Sequence, residues 1–148
     1  MKVTSNQGRS RHSHKMVLEL LLSDMPEQKQ SPYSLESELD HWGEQLQVNS
    51  SRFPQRSQPV PDESHPAISV NLDACIQCTR CVRACREEQV NDVIGYAWRG
   101  THSAIVFDFD DAMGASSCVG CGECVQACPT AALMPANGVG LQVPDKKV

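Results

Sequence analysis

The chain has 148 residues, a formal net charge of −5, 40% apolar side chains, only 5% aromatics and eight cysteines. That length suits one domain with appendages, and so few aromatics exclude a large, purely hydrophobic core. The acidic balance excludes the basic face of a nucleic-acid binder, and no run reaches the ~20 apolar residues of a membrane span. The longest candidate, Met16–Leu22, is interrupted by Glu19 and is too short and too charged for a secretory signal, so a soluble, cytoplasmic protein is expected.

Residues 1–14 are polar and partly basic, the composition of a loose arm. From Lys15 a helix is predicted, because Met16, Val17, Leu20 and Leu21 fall at helical spacing, and Pro26 would stop it. A second helix is predicted over Pro32–Val48, capped by Ser31, with Leu35, Leu39, Trp42 and Leu46 in one apolar stripe. Residues 49–66 hold four prolines among serines and charges and read as a linker. Ala67–Leu72 alternates apolar and polar side chains, as a short strand does, and Arg86–Val93 looks helical. Ile94–Trp98 and Ala104–Phe109 form a predicted hairpin across Arg99–Ser103, with Gly100 at the turn. The tail from Pro135 is punctuated by Gly and Pro, with a strand expected at Val139–Val143.

All eight cysteines lie between Cys75 and Cys128. A disulfide scaffold would spread them to close loops across the fold, whereas tight clustering at fixed spacing belongs to metal chemistry. Cys75, Cys78, Cys81 and Cys85 form C-x2-C-x2-C-x3-C, and Cys118, Cys121, Cys124 and Cys128 repeat it 43 positions on, followed by Pro129. This is the bacterial ferredoxin run, whose fourth cysteine ligates the other cluster. Three closely spaced thiolates wrap three irons of a cubane, while the fourth has entered the following helix and points away. Two [4Fe–4S] clusters are therefore expected, the first on Cys75, Cys78, Cys81 and Cys128 and the second on Cys118, Cys121, Cys124 and Cys85. Zinc would need only four ligands, typically as separated pairs.

The first motif carries Arg80, Arg83 and Arg86 and no acid; the second carries Glu123 and small neutral residues. The arginines are expected either to raise the potential nearby or dock an acidic partner, or else to be plain solvated charges. His12, His14, His41, His65 and His102 fall in the arm, a helix surface, the linker and a turn, and read as structural or solvated. Asp108, Asp110 and Asp111 form a solvated acidic edge, and Gly138-Val139-Gly140 lacks the strand–helix context of a dinucleotide site. No P-loop, G-x-S-x-G or HExxH occurs, so no catalytic site of the chain's own is expected.

The stretches NLDACIQCTRCVRACREEQVNDVIGYAWRG and IVFDFDDAMGASSCVGCGECVQACPTAALMP closely resemble the ferredoxin-like region of the alpha subunit of NAD-dependent, molybdenum- or tungsten-containing formate dehydrogenases. The large iron–sulfur subunit of complex I is a more distant likeness. The resemblance runs from about Ile68 to Pro135, and more weakly over MVLELLLSDMP, which is similar to the helix after a [2Fe–2S] domain in that family. It implies one section of an electron wire, with a metal–pterin catalytic domain and a flavin/NAD subunit as redox partners. Many relatives carry a further cluster on a His and three Cys; here Met25 stands at the histidine and no cysteine precedes Cys75, so that cluster is not expected. The chain also resembles a middle piece of a longer subunit, with VPDKKV like the lead-in to the pterin domain, although Met1 is a plausible start.

The expected fold is α+β: a helical segment at 1–48, a Pro-rich linker at 49–66, a two-cluster ferredoxin-type domain with an inserted β-hairpin at 67–136, and a tail at 137–148. Function is one-electron transfer within a formate dehydrogenase-like complex. The alternatives are a free-standing ferredoxin carrier and a redox-sensing iron–sulfur module.

Overall fold

The computed structural model describes residues 3–25, 31–33 and 37–141. Its cysteine-bearing half is closed by strand β1 (Ile68–Val70), which pairs antiparallel with β4 (Leu133–Pro135), Ile68 facing Pro135 and Val70 facing Leu133. The predicted strand at 67–72 is thus three residues long, because Leu72–Ala74 curls into a 3-10 turn that delivers Cys75. All three β1 residues are buried, so the alternation does not mark one wet face.

Strands β2 (Ile94–Ala97) and β3 (Ala104–Phe107) pair antiparallel, with Ile94 opposite Phe107 and Ala97 opposite Ala104. Trp98 and Gly100 turn the chain between them at φ 60° and 63°. The helix expected over 86–93 begins earlier: α3 (Arg80–Arg83) continues as a π-turn (Ala84–Glu88). Val90 and Asp92, at φ 56° and 53°, end it before Val93. Helix α4 (Glu123–Ala127) is its counterpart in the second motif. No strand follows β4 among the described residues; Ala136–Gly138 is a 3-10 turn, and Val143 lies outside them.

Helix α1 spans Gly8–Asp24, so part of the expected loose arm is helical. Nothing in 9–15 breaks a helix, and Ser10 Oγ donates back to Ser5 and Gln7 carbonyls at 2.6 and 2.8 Å, tying down its start. Pro26, the expected stop, and Leu35 lie outside the described residues. Helix α2 is shorter than predicted, Glu38–Leu46, because Ser37 and not Ser31 caps it: Ser37 Oγ accepts from Leu39 N at 3.1 Å. Gln47 in the left-handed region ends it. Leu39 is buried, but Trp42 is 52% exposed on the rim of an apolar groove with Leu18 and Leu21.

Leu18, Met25 and Leu39 join one core with Val70, Ile105, Phe107 and Met113, and buried Cys75, Cys81, Cys85 and Cys124 belong to it. The proline-rich stretch 49–66 lies along this body as a strap. Arg52 N and Arg56 N donate to Glu19 Oε1 and to the Ser23 carbonyl of α1 at 3.1 and 2.9 Å. Asp62 bridges Val70 in both directions, at 2.8 and 2.9 Å, and its carboxylate accepts from Met113 N at 2.7 Å. Gly114 lies so close beneath the strap that an added Cβ would sit 2.4 Å from the Ser64 carbonyl oxygen. Gly114→Ala is expected to cost about 1–3 kcal/mol, the range for overpacking, read as a fall in the holoprotein's melting temperature.

Candidate metal centre

The two motifs fold into matching loops. Gln77 and Gly120, each two residues after the first cysteine of its motif, take the left-handed conformation at φ 61° and 68°. Their N–H groups donate to Cys75 Sγ and Cys118 Sγ, both at 3.4 Å. Thr79 and Gly122, at φ 59° and 81°, then start α3 and α4. This turn sequence gathers the first three cysteines of each motif around one cavity. Cys85 follows within the helical π-turn, whereas Cys128 sits at the C-terminal cap of α4 and not inside a helix.

Each loop encloses a cavity. Cys75, Cys78, Cys81 and Cys128 line one, walled by Leu72 and Leu133. Cys85, Cys118, Cys121 and Cys124 line the other, walled by Ile68 and Ile94. Three thiols of one motif thus meet the fourth of the other in both. Among the described residues, no three His, Cys, Asp or Glu side chains converge closely enough to hold a single metal ion. Four thiols spread around a cavity suit the corners of a cubane, and they do not suit zinc, whose thiolates close to about 2.3 Å of one point.

Burial pushes the Cys75 thiol up to about 11, against the Gln77 N–H that favours its thiolate, and the Cys124 thiol up to about 12. Burial raises Cys81 as well, and in each case thiols of the same set add to the rise. Ligation needs thiolates, so loading releases protons from these groups. The loaded state holds fewer protons, hence rising pH favours loading through the range in which these thiols titrate, and falling pH opposes it. Acid titration of the loaded protein is expected to bleach its visible cluster absorbance progressively, and reconstitution in weak buffer to acidify the medium; a pH-independent loading constant would contradict this.

Only Cys78 and Cys121 of the eight are exposed, one per cavity. They turn one residue of each set toward solvent, Cys118 and Cys128 are partly buried, and Cys75, Cys81, Cys85 and Cys124 are buried. Thr130, buried and not anticipated from sequence, places Oγ1 3.9 Å from Cys128 Sγ.

The motif arginines are exposed and matched by acids from outside the spacing: Arg80–Glu38 at 3.3 Å, Arg83–Glu87 at 3.0 Å and Arg86–Asp92 at 2.7 Å. Paired in solvent, they carry little field to a buried site. The half-buried cation is Arg56 of the strap, whose side chain is 15% exposed and lies 3.8 Å from Asp24. It stands 19 residues before Cys75, beyond any motif spacing. His65 is buried and structural, its Nδ1 accepting from Ala67 N and Ile68 N at 3.2 Å each. Asp108 is no solvated edge: its carboxylate accepts from Ser117 N at 2.6 Å. His12, His14, His41 and His102 join neither cavity.

Paired cavities with crosswise cysteine sets define a two-cluster, ferredoxin-type electron-transfer domain. Residues 74–132 match the 4Fe-4S dicluster domain family, and the chain's cofactors are two [4Fe–4S] clusters. Over 102 residues, 69% of this chain, it is 33% identical to a protein of Staphylococcus haemolyticus strain JCSC1435 named "Putative formate dehydrogenase". A protein of the same name from Staphylococcus aureus strain USA300 is 34% identical over 102 residues. The chain spans about 10% of the length of these curated relatives. The NAD+-reducing [NiFe]-hydrogenase in its H2-reduced state shares the fold at a TM-score of 0.82 and 21% identity, over 95% of this chain and 60% of that one. The formate dehydrogenase resemblance carried by the motifs is thereby borne out. No helix among the described residues is long and apolar enough to cross a membrane.

Proposed function

We propose that this chain relays single electrons as one section of a formate dehydrogenase-like oxidoreductase in the cytoplasm. The first cluster is held by Cys75, Cys78, Cys81 and Cys128 and the second by Cys118, Cys121, Cys124 and Cys85. The observation that carries this is the composition of the two cavities, each walled by three thiols of one motif and one of the other. When bound, each [4Fe–4S] cluster supplies a one-electron couple between its +2 and +1 states. The protein's own part is to hold four thiolates, to exclude water with Leu72, Leu133, Ile68 and Ile94, and to donate Gln77 and Gly120 N–H groups to sulfur. Exposed Cys78 and Cys121 are the points of contact for redox partners, among them a metal–pterin catalytic domain and a flavin/NAD subunit as the family resemblance implies. The β2–β3 pair is an insertion between the motifs, and the strap at 49–66 joins the helical segment 1–48 to the domain at 67–136, with a tail at 137–148.

Anaerobically purified protein should contain about eight iron and eight acid-labile sulfides per chain, with an EPR spectrum of two interacting clusters on reduction. Zinc without sulfide would overturn the assignment.

A further inference from the structure

The two loops are built alike but are backed differently. At Gly120 the backing group is His65, whose ring carbon Cε1 lies 3.5 Å from where a Cβ would stand. With Nδ1 accepting two backbone N–H bonds, that ring is neutral and carries its proton on Nε2. At the matching position of the first loop stands Gln77, in a left-handed conformation that costs a non-glycine residue about 1 kcal/mol. Its side chain explains why a glycine is not used there. With the amide turned so that its oxygen faces the donor and its nitrogen the acceptors, the oxygen accepts from Arg56 Nη1 at 2.9 Å and the nitrogen donates to Tyr96 Oη at 2.8 Å and the Ser103 carbonyl at 3.3 Å. Tyr96 donates onward to Ser103 Oγ at 2.9 Å. The backbone N–H of the same Gln77 donates to Cys75 Sγ at 3.4 Å, so the residue that holds Arg56 is itself bonded to a thiol of the first cavity.

We propose that Arg56, held by Gln77, is a positioning residue that raises the reduction potential of the first cluster selectively and so biases the electron toward it. An added electron increases negative charge at the cluster, which a half-buried guanidinium stabilises and a neutral imidazole does not. Asp24, 3.8 Å from Arg56, opposes this field. Asp24 therefore sets how much of it reaches the site.

The inference rests on the two-cluster reading and is tested on the loaded, full-length chain by EPR-monitored redox titration. The signal altered by Cys78→Ser identifies the first cluster. Arg56→Gln is expected to lower that cluster's potential by a tenfold change in its reduced-to-oxidised ratio, about 59 mV for one electron, with the second unmoved. Asp24→Asn should move the same step upward, an opposition in sign that general loosening of the fold would not produce. Arg80→Gln, which removes an exposed paired charge, should move neither. Where Arg56→Gln fails to load, Gln77→Gly keeps the left-handed turn and its N–H while cutting the side-chain relay, and should shift the first step downward. A change below twofold in loaded Arg56→Gln or Gln77→Gly protein, or equal shifts of both steps, overturns the inference. Wild-type protein without two one-electron steps overturns the two-cluster reading instead.

Discussion

Replacing Cys128 with Ala is expected to abolish the EPR signal of the first cluster and leave that of the second, with iron falling from about eight to about four per chain. The logic is spatial. Cys128 belongs to the second motif by sequence, yet its thiol lines the cavity of Cys75, Cys78 and Cys81. The reciprocal change, Cys85→Ala, should remove the cluster of Cys118, Cys121 and Cys124 although Cys85 lies in the first motif. If each motif served its own cavity, the two variants would exchange signatures, so one pair of spectra decides between the arrangements. Cys78→Ala should reproduce the Cys128→Ala spectrum, since both thiols line the same cavity.

Stripping both clusters with chelator under oxidising conditions is expected to unfold the region from Ile68 to Pro135. Helices of four and five residues lie far below the length at which an isolated helix holds in water. The sheets have two strands each, of three and four residues, and a lone two-stranded pair is marginal. Four of the cysteines are themselves part of the core, so emptying the cavities removes the centre around which these elements pack. For small metal-dependent folds, binding and folding share on the order of 10 kcal/mol, well above the stability such a core can supply alone. Amide exchange provides the check: protection at Asn71 and Ala136, whose N–H groups donate to the Ala132 and Ala67 carbonyls at 2.8 and 3.0 Å at the two ends of the β1–β4 pair, should vanish with the visible absorbance. Protection that outlasts the clusters would show that the protein scaffold is self-supporting.

What was legible in the sequence was whatever short spacing controls. The eight ligand candidates, the pairing of Ile94 with Phe107 around Gly100, and a strand ahead of Cys75 follow from local patterns of cysteine, alternation and turn residues. Contacts between distant segments left no such trace. β4 ends in a proline and is three residues long, too short for periodicity to mark it. The composition of 49–66 suggested a free tether, and only its individual anchors, Arg52 and Arg56 on α1 and Asp62 on Val70, make it a strap. Ser31 and Ser37 are equally plausible caps by residue type, and tertiary packing of Leu39 selects the second. At the site, the conspicuous arginines of the first motif are matched by acids 42, four and six residues away. Arg56 gave no signal because its partners, Asp24 and Gln77, are distant in the chain.

The crosswise walls of the cavities also bear on how the protein is made. As the chain emerges from the ribosome, the complete first motif can close neither cavity, because Cys128 is still missing from one and Cys118, Cys121 and Cys124 from the other. The second cavity gains its last thiol at Cys124 and the first at Cys128, four residues later. Closure of both cavities thus waits for the last residues of the second motif, and the order of completion runs opposite to the order in which the motifs are written.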